Sequence, residues 1–230
     1  MPSTATTSAN QTDTHDMVVV HRVFRRESAL LPDLVRAVNA HHTARAEVVA
    51  AYIEDYALGL HVHHTGEDEL VWPLLEARAP WAAGTVARMQ AQHGVVVGTL
   101  TSALALLPAW RATPAPSTAA PLVDALAEHR VAVREHLADE EANILPVAAE
   151  VIRPEEWARL GAHSAEVTPK RKQLFFLGLI LEDADAGEAA EMLAHLPAPV
   201  RVVWHLFGRR SYARQIARIR GGLSPNGSAL

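Results

Sequence analysis

His63 and Glu67 in HHTGEDELVWP, and His136 and Glu140 in HLADEEANILP, are metal-binding residue types set one helical turn apart. A proline follows each acid by six residues (Pro73, Pro146), and a lone histidine precedes each pair, His21 by 42 residues and His93 by 43. The frame H...HxxxE therefore occurs twice. Roughly one HxxxE pair is expected by accident in a chain of this composition, so either copy alone is weak, but prolines at matching offsets have odds of roughly one in a few hundred. An internally duplicated metal-binding unit accounts for all six positions.

At about 100° per residue, Tyr56, Leu60, His63, Glu67 and Leu74 share one helical face, and His129, Val133, His136, Glu140 and Val147 share another. His61, His64 and Asp68 point away from the first face, and Arg134, Glu135 and Glu141 from the second. His63 is therefore the expected inward ligand, with His61 and His64 in solvent or at the mouth of a site. Four histidines and two glutamates supply neutral nitrogen and balancing negative charge, a mixture suited to iron, zinc or manganese and poor for calcium or magnesium. The chain has no cysteine, which removes thiolate metal sites, disulfides and thiol catalysis. Six protein ligands do not fill two coordination spheres, so bridging oxo or hydroxo groups and an exchangeable position are expected.

Helical periodicity without strand signals predicts an all-α protein, an up-down-up-down four-helix bundle with helices at about 17–40, 44–78, 83–110 and 119–152. Pro73 and Pro146 should kink the second and fourth, since each removes a backbone donor. Short connections make neighbours antiparallel, so the first and third helices give one histidine each and the other two give HxxxE. Residues 1–16 read as a flexible tail, 17–152 as the bundle, 153–220 as a C-terminal helical extension and 221–230 as a second flexible tail. In the extension His163, His195 and His205 read as surface or core-edge residues, and the arginine-rich stretch VRVVWHLFGRRSYARQIARIR is expected to dock its apolar residues on the bundle.

The 230 residues are 49% hydrophobic, enough for a sizeable core, and the net charge of −5 gives no reason to expect a nucleic-acid partner. No apolar leader opens the sequence and no run reads as a membrane span, so a cytoplasmic location is the default.

On His21, His63, Glu67, His93, His136 and Glu140 the chain resembles the hemerythrin-like family, the HHE cation-binding domain, over about 17–150. The resemblance implies a four-helix bundle holding a non-haem centre of two iron ions, oxo- or hydroxo-bridged. The chain departs from the invertebrate oxygen carriers of that family. Their third helix has a second histidine one turn after the first, where this chain has Val97, and their fourth helix follows its histidine with an aspartate five residues on. Fewer nitrogens and a more open centre favour redox turnover over reversible oxygen carriage. The expected function is a di-iron oxidoreductase that binds and activates or reduces dioxygen, hydrogen peroxide or nitric oxide, in one variant oxidising a small-molecule metabolite; the alternative is a non-catalytic di-iron sensor or store. Tyr56 and His129 precede His63 and His136 by seven residues, about 10 Å along the helix axis. Their expected roles are proton transfer, channel lining or packing rather than secure ligation.

Overall fold

A computed structural model describes residues 11–221 of the chain. Among them there are helices and no strands: α1 (His15–Arg36), α2 (Thr43–Leu70), α3 (Trp72–Arg78), a 3-10 turn (Pro80–Ala82), α4 (Ala83–Ala112), α5 (Pro116–Asn143), α6 (Leu145–Val151), α7 (Pro154–Val167), α8 (Lys170–Asp183), α9 (Ala186–Ala194), α10 (Ala198–Val203), a π turn (Trp204–Gly208) and α11 (Arg209–Arg220). The expected bundle is present, with α1, α2, α4 and α5 as its long helices. Each packs on its two neighbours in a closed ring, α1 on α2 and α5, and α4 on α2 and α5.

The two prolines act as the sequence predicts. The helical ladder runs through Val71, whose N–H bonds Glu67 O, and through Ile144, whose N–H bonds Glu140 O. Each helix then restarts as a short one with Pro73 or Pro146 in its first turn, where a missing N–H leaves no bond unmade. Both ligand glutamates thus sit in the last turn before a break.

Apolar side chains form two buried clusters. The larger fills the bundle from Val23 and Leu60 to Trp110, with Leu31, Leu34, Ile53 and Leu126 at its centre. The smaller joins Met17, Trp72, Leu75, Met89, Ile144, Leu145 and Trp157, and so is built mainly from α3, α6 and the ends they face. The duplicated histidines and glutamates occupy the polar level between them.

One boundary differs from expectation. The sequence predicts a flexible tail over 1–16, of which 1–10 lie outside the described residues. Thr12, however, is buried and bonded to Ala149 O (2.9 Å) and Ile152 O (2.5 Å), and Asp16 accepts from Trp157 Nε1 at 2.8 Å. Polarity alone did not reveal that this segment straps α6 and α7. Of the second tail only Gly221 is described; it closes α11 in the left-handed region at φ 56°, a conformation glycine adopts without strain. Pro80–Ala112 has the length and apolar composition of a membrane span, because its exposed side carries small and β-branched residues in place of charges. In the structure α4 is the third bundle helix.

The extension wraps α1 and α2. Helix α7 packs on α2, with Leu160 and His163 beside Gly66, and α8 and α9 pack on α1. Charged groups fasten it: Arg22 to Glu188 (2.8 Å), Lys172 to Asp55 (2.6 Å), and Arg220 to both Glu182 (2.5 Å) and the buried Glu27 (3.1 Å). His163 is partly buried, whereas His195 and His205 are exposed.

Candidate metal centre

The four long helices bring seven donor side chains to one level, in two groups. His64, Glu67, His93 and His136 form one; His21, His63, Glu67 and Glu140 form the other; within each, the donor atoms lie within 4.8 Å of one another. Glu67 belongs to both groups. Its Oε1 is 3.2 Å from His63 Nε2 and its Oε2 is 3.3 Å from His93 Nε2. Glu140 Oε2 lies 3.4 Å from His21 Nε2 and 3.6 Å from His136 Nε2.

These inward atoms lack hydrogen-bond partners. Nε2 of His21, His63, His64, His93 and His136, both oxygens of Glu67 and Oε2 of Glu140 are buried and unpartnered among the described residues. Buried polar atoms are normally paired, and so many orphans converging on one level is what a cation would satisfy. The electrostatics agree. Burial pushes Glu140 up to about 8, with the neighbouring Glu67 adding to it, and burial holds Glu67 well above the usual carboxylate range. Burial, reinforced by neighbouring imidazoles, pushes His136 down to about 3 and holds His63 and His64 well below the usual histidine value. Protein charge alone thus leaves five imidazoles, three of them held toward the neutral form, around two carboxyls that burial holds toward the protonated form. Cations reverse that, and neutral nitrogen with carboxylate oxygen suits iron, manganese or zinc.

The outward nitrogens are held. His21 Nδ1 donates to Glu141 Oε1 at 2.8 Å, and His93 Nδ1 to Asp68 Oδ1 at 2.9 Å. Such carboxylate partners fix the ring and its tautomer so that Nε2 faces inward. Asp68 also accepts from Trp72 Nε1 (2.7 Å), and Glu141 from Arg25 (2.7 Å). His136 Nδ1 reaches Gln92 Oε1 at 3.4 Å. Both carboxylates were placed outward by the helical wheel, yet each lies at a helix seam and reaches the histidine of the adjacent helix. The signal that could have found them is the acid directly after each ligand glutamate, Glu67-Asp68 and Glu140-Glu141.

All six sequence-predicted ligand positions meet in these groups, but the expectation for His64 is corrected. It is 4% exposed and stacks on His93 with ring centroids 4.0 Å apart. His64 is four residues after Leu60, three before Glu67 and seven before Val71, all buried. A second apolar stripe therefore runs beside the one through His63, because α2 is covered by α1, α4 and α7 and buries a wider arc than a two-neighbour helix does. His61 is exposed, as expected. Val97 is 52% exposed, so a histidine there would face solvent, and the additional nitrogen comes from α2 instead. With five nitrogens in place of four, the case for turnover from a nitrogen-poor centre loses its premise.

Tyr56 and His129 are buried and belong to neither group. Thr99 Oγ1 lies within donating reach of Val95 O (3.1 Å) and Val96 O (3.0 Å), which leaves it to accept from His129 Nδ1 at 3.0 Å. His129 Nε2 then accepts from Tyr56 Oη at 2.9 Å. Burial pushes His129 down to about 4 and raises Tyr56, so the pair is neutral at physiological pH. Phe24 stands between it and the centre, its ring 6.2 Å from Tyr56 and 4.9 Å from His63.

No curated protein and no solved structure shows a significant match to the chain. The Hemerythrin HHE cation binding domain matches residues 12–148, more than half of the sequence and the whole segment that carries the seven donors. The chain belongs to the hemerythrin HHE cation-binding family.

Proposed function

We propose that the centre holds two iron ions and that the protein is an oxidoreductase acting on a small oxidant, dioxygen, hydrogen peroxide or nitric oxide. The observation that carries this reading is the pair of donor groups sharing Glu67, each presenting unpartnered Nε2 and carboxylate oxygen. Two ferrous ions held by these residues would supply two electrons at one place, the number that takes peroxide to two waters with two protons, and an external one-electron donor would restore them. His64, His93 and His136 would hold one ion, His21, His63 and Glu140 the other, with Glu67 between them. Asp68 and Glu141 keep the rings turned inward, and the two apolar clusters exclude water from the level between. Tyr56 and His129 form a neutral hydrogen-bonded pair beside the centre that would relay a proton rather than supply one.

Anaerobic loading with ferrous iron followed by metal analysis and an optical spectrum in air tests the cofactor. About two irons per chain with near-ultraviolet oxo-to-iron absorption are expected, and stoichiometric zinc with no iron uptake would overturn the redox reading. Turnover of peroxide or nitric oxide per bound iron tests the activity. Tyr56→Phe and His129→Gln should slow it about tenfold or more while leaving iron content intact, since a positioned acid or base contributes roughly two to four orders of magnitude.

One observation favours a second reading, a non-catalytic di-iron sensor. Helix α7 rests on Gly66, next to the shared Glu67, and ion pairs tie α8 and α9 to the ligand-bearing helices, so a change at the centre reaches the extension directly. Negligible turnover by fully loaded protein with every small oxidant would select it.

A further inference from the structure

The last helical stretch carries side chains that neither the bundle nor the metal centre uses. Its apolar residues divide into two sets. Trp204, Ile216 and Ile219 are buried as the sequence suggests, and Gly208 lies so close under the Trp204 indole that a Cβ there would meet the ring at 2.5 Å. Val202, Val203, Leu206 and Phe207 do not dock: they are 55%, 43%, 55% and 67% exposed. The π turn at Trp204–Gly208 is the local cause. Its wider turn keeps Trp204 and Gly208 on the inner side and leaves Leu206 and Phe207 outside, a re-aiming that π turns often perform at functional positions.

Directly after these side chains come Arg209, Arg210, Arg214 and Arg218, all exposed. Arg220, at the end of the helix, is paired with Glu182 and Glu27; the other four form no ion pair among the described residues, and no acid occurs between Ala198 and Arg220. Arg45, which donates to Arg218 O and Ile219 O, brings a further cation to the same end. In a chain of net charge −5 this is a local concentration of unpaired positive charge. Arginines alone would suit any polyanion, and exposed apolar residues alone any apolar partner. Side by side on one surface helix they match the boundary between anionic headgroups and acyl chains.

We propose that Ala198–Arg220 is a peripheral docking element for an anionic membrane surface. Leu206, Phe207, Val202 and Val203 enter the headgroup–acyl boundary, and Arg209, Arg210, Arg214 and Arg218 lie against lipid phosphates. Such an element holds the protein on a bilayer without any helix crossing it.

Flotation of the full chain with phosphatidylcholine vesicles, and with vesicles containing about one third phosphatidylglycerol, tests this. Binding is expected only to the anionic vesicles and should be lost at high salt. Each of Arg209→Gln, Arg210→Gln and Arg214→Gln should weaken it about fivefold, and the double change Leu206→Ser with Phe207→Ser about tenfold or more, with the circular dichroism of wild type. Should the double variant lose helicity, Val202→Ser alone gives the same reading in smaller measure. Absence of binding to anionic vesicles overturns the proposal. So does binding that the serine variants leave unchanged and that a short DNA duplex competes away, which would mark a general polyanion surface. Self-association that the serine pair abolishes, without flotation, would assign the patch to a second copy of the chain.

Discussion

The two HxxxE copies are built alike and differ most at the residue after the histidine. Superimposed by sequence, His63 matches His136, Glu67 matches Glu140 and Asp68 matches Glu141, but His64 matches Leu137. Both odd residues are buried, His64 at 4% exposure and Leu137 at none. Exchanging the repeats turns His93, His136 and Glu67 of one donor group into His21, His63 and Glu140 of the other, so three donors in each group obey the pseudo-symmetry. The fourth does not: it is His64 on one side and the shared Glu67 on the other. Duplication produced the frame, and one position within it makes the two halves of the centre chemically unequal.

The largest expected effect separates the two carboxylates. Glu67→Ala should empty both groups, whereas Glu140→Ala should leave about one ion per chain, because Glu67 turns one oxygen to each group while Glu140 directs the single oxygen Oε2 at both His21 and His136. Metal analysis of the two purified variants measures this, and equal losses would mean that the groups are equivalent.

Next come the unequal partners. Leu137→Ala removes a fully packed side chain and should destabilise the protein by about 2–5 kcal/mol with metal content unchanged. His64→Leu should act in the opposite sense on the metal-free form. It replaces an imidazole whose two nitrogens are buried without partners, so urea unfolding should show a gain of about 1–2 kcal/mol, while metal is lost from the His93 side. A metal-free form destabilised by His64→Leu would show that His64 is a packing residue.

The outer carboxylates rank third. Asp68→Asn and Glu141→Gln should each weaken metal affinity roughly 10–100-fold, measured by competition with a chelator. Glu141→Gln also loosens Arg25, so its effect on stability should exceed that of Asp68→Asn.

The smallest effect is a pH dependence of the metal-free protein. Carboxyls pushed upward keep protons that the unfolded chain releases, so their contribution is present at low pH and is lost as pH rises through about 8 for Glu140. Histidines pushed downward, His136 to about 3, refuse protons that the unfolded chain takes up below about 6.5; their contribution is present above that value and lost in acid. Between about 6.5 and 8 the carboxyls dominate, and stability should fall with rising pH by at most roughly 1.4 kcal/mol per unit per proton. Metal affinity should rise over the same window, because loading expels those protons. Unfolding midpoints of chelated protein across this range give the slope, and a flat or rising profile would place the carboxyls in their ordinary ionised state.

Periodicity made the long helices readable, and the repeated proline offset correctly marked where α2 and α5 break. Six donors were readable because two weak motifs matched each other. His64 was not, since the wheel treated α2 as buried along one stripe, whereas His64 lies against His93 of α4 and His136 of α5. Leu137 in the matching slot gave no warning. Asp68 and Glu141 were hidden for another reason: a wheel reports where a Cβ points within its own helix, not what a side chain reaches across a seam. In the extension the helices were legible but their docking was not, because the π turn shifts the inner side in a way that a constant 100° step cannot follow.

The helix restarts at Val71 and Ile144 also bear on how an ion gets in. All seven donors are 9% exposed or less, which leaves a hydrated cation no direct path, although a small oxidant needs far less room. On one side lies the larger cluster inside four long helices, which opens only with the whole fold. On the other lie α3 and α6, seven residues each, too short to persist without their packing and separated from the ligand turns by the proline breaks. Partial opening of this side leaves the donors' own helices wound. The expected outcome is that hydrogen exchange at Leu75 and Ala148 reports the same rate as loss of a loaded ion, and ion loss much slower than that exchange would place the entry route elsewhere.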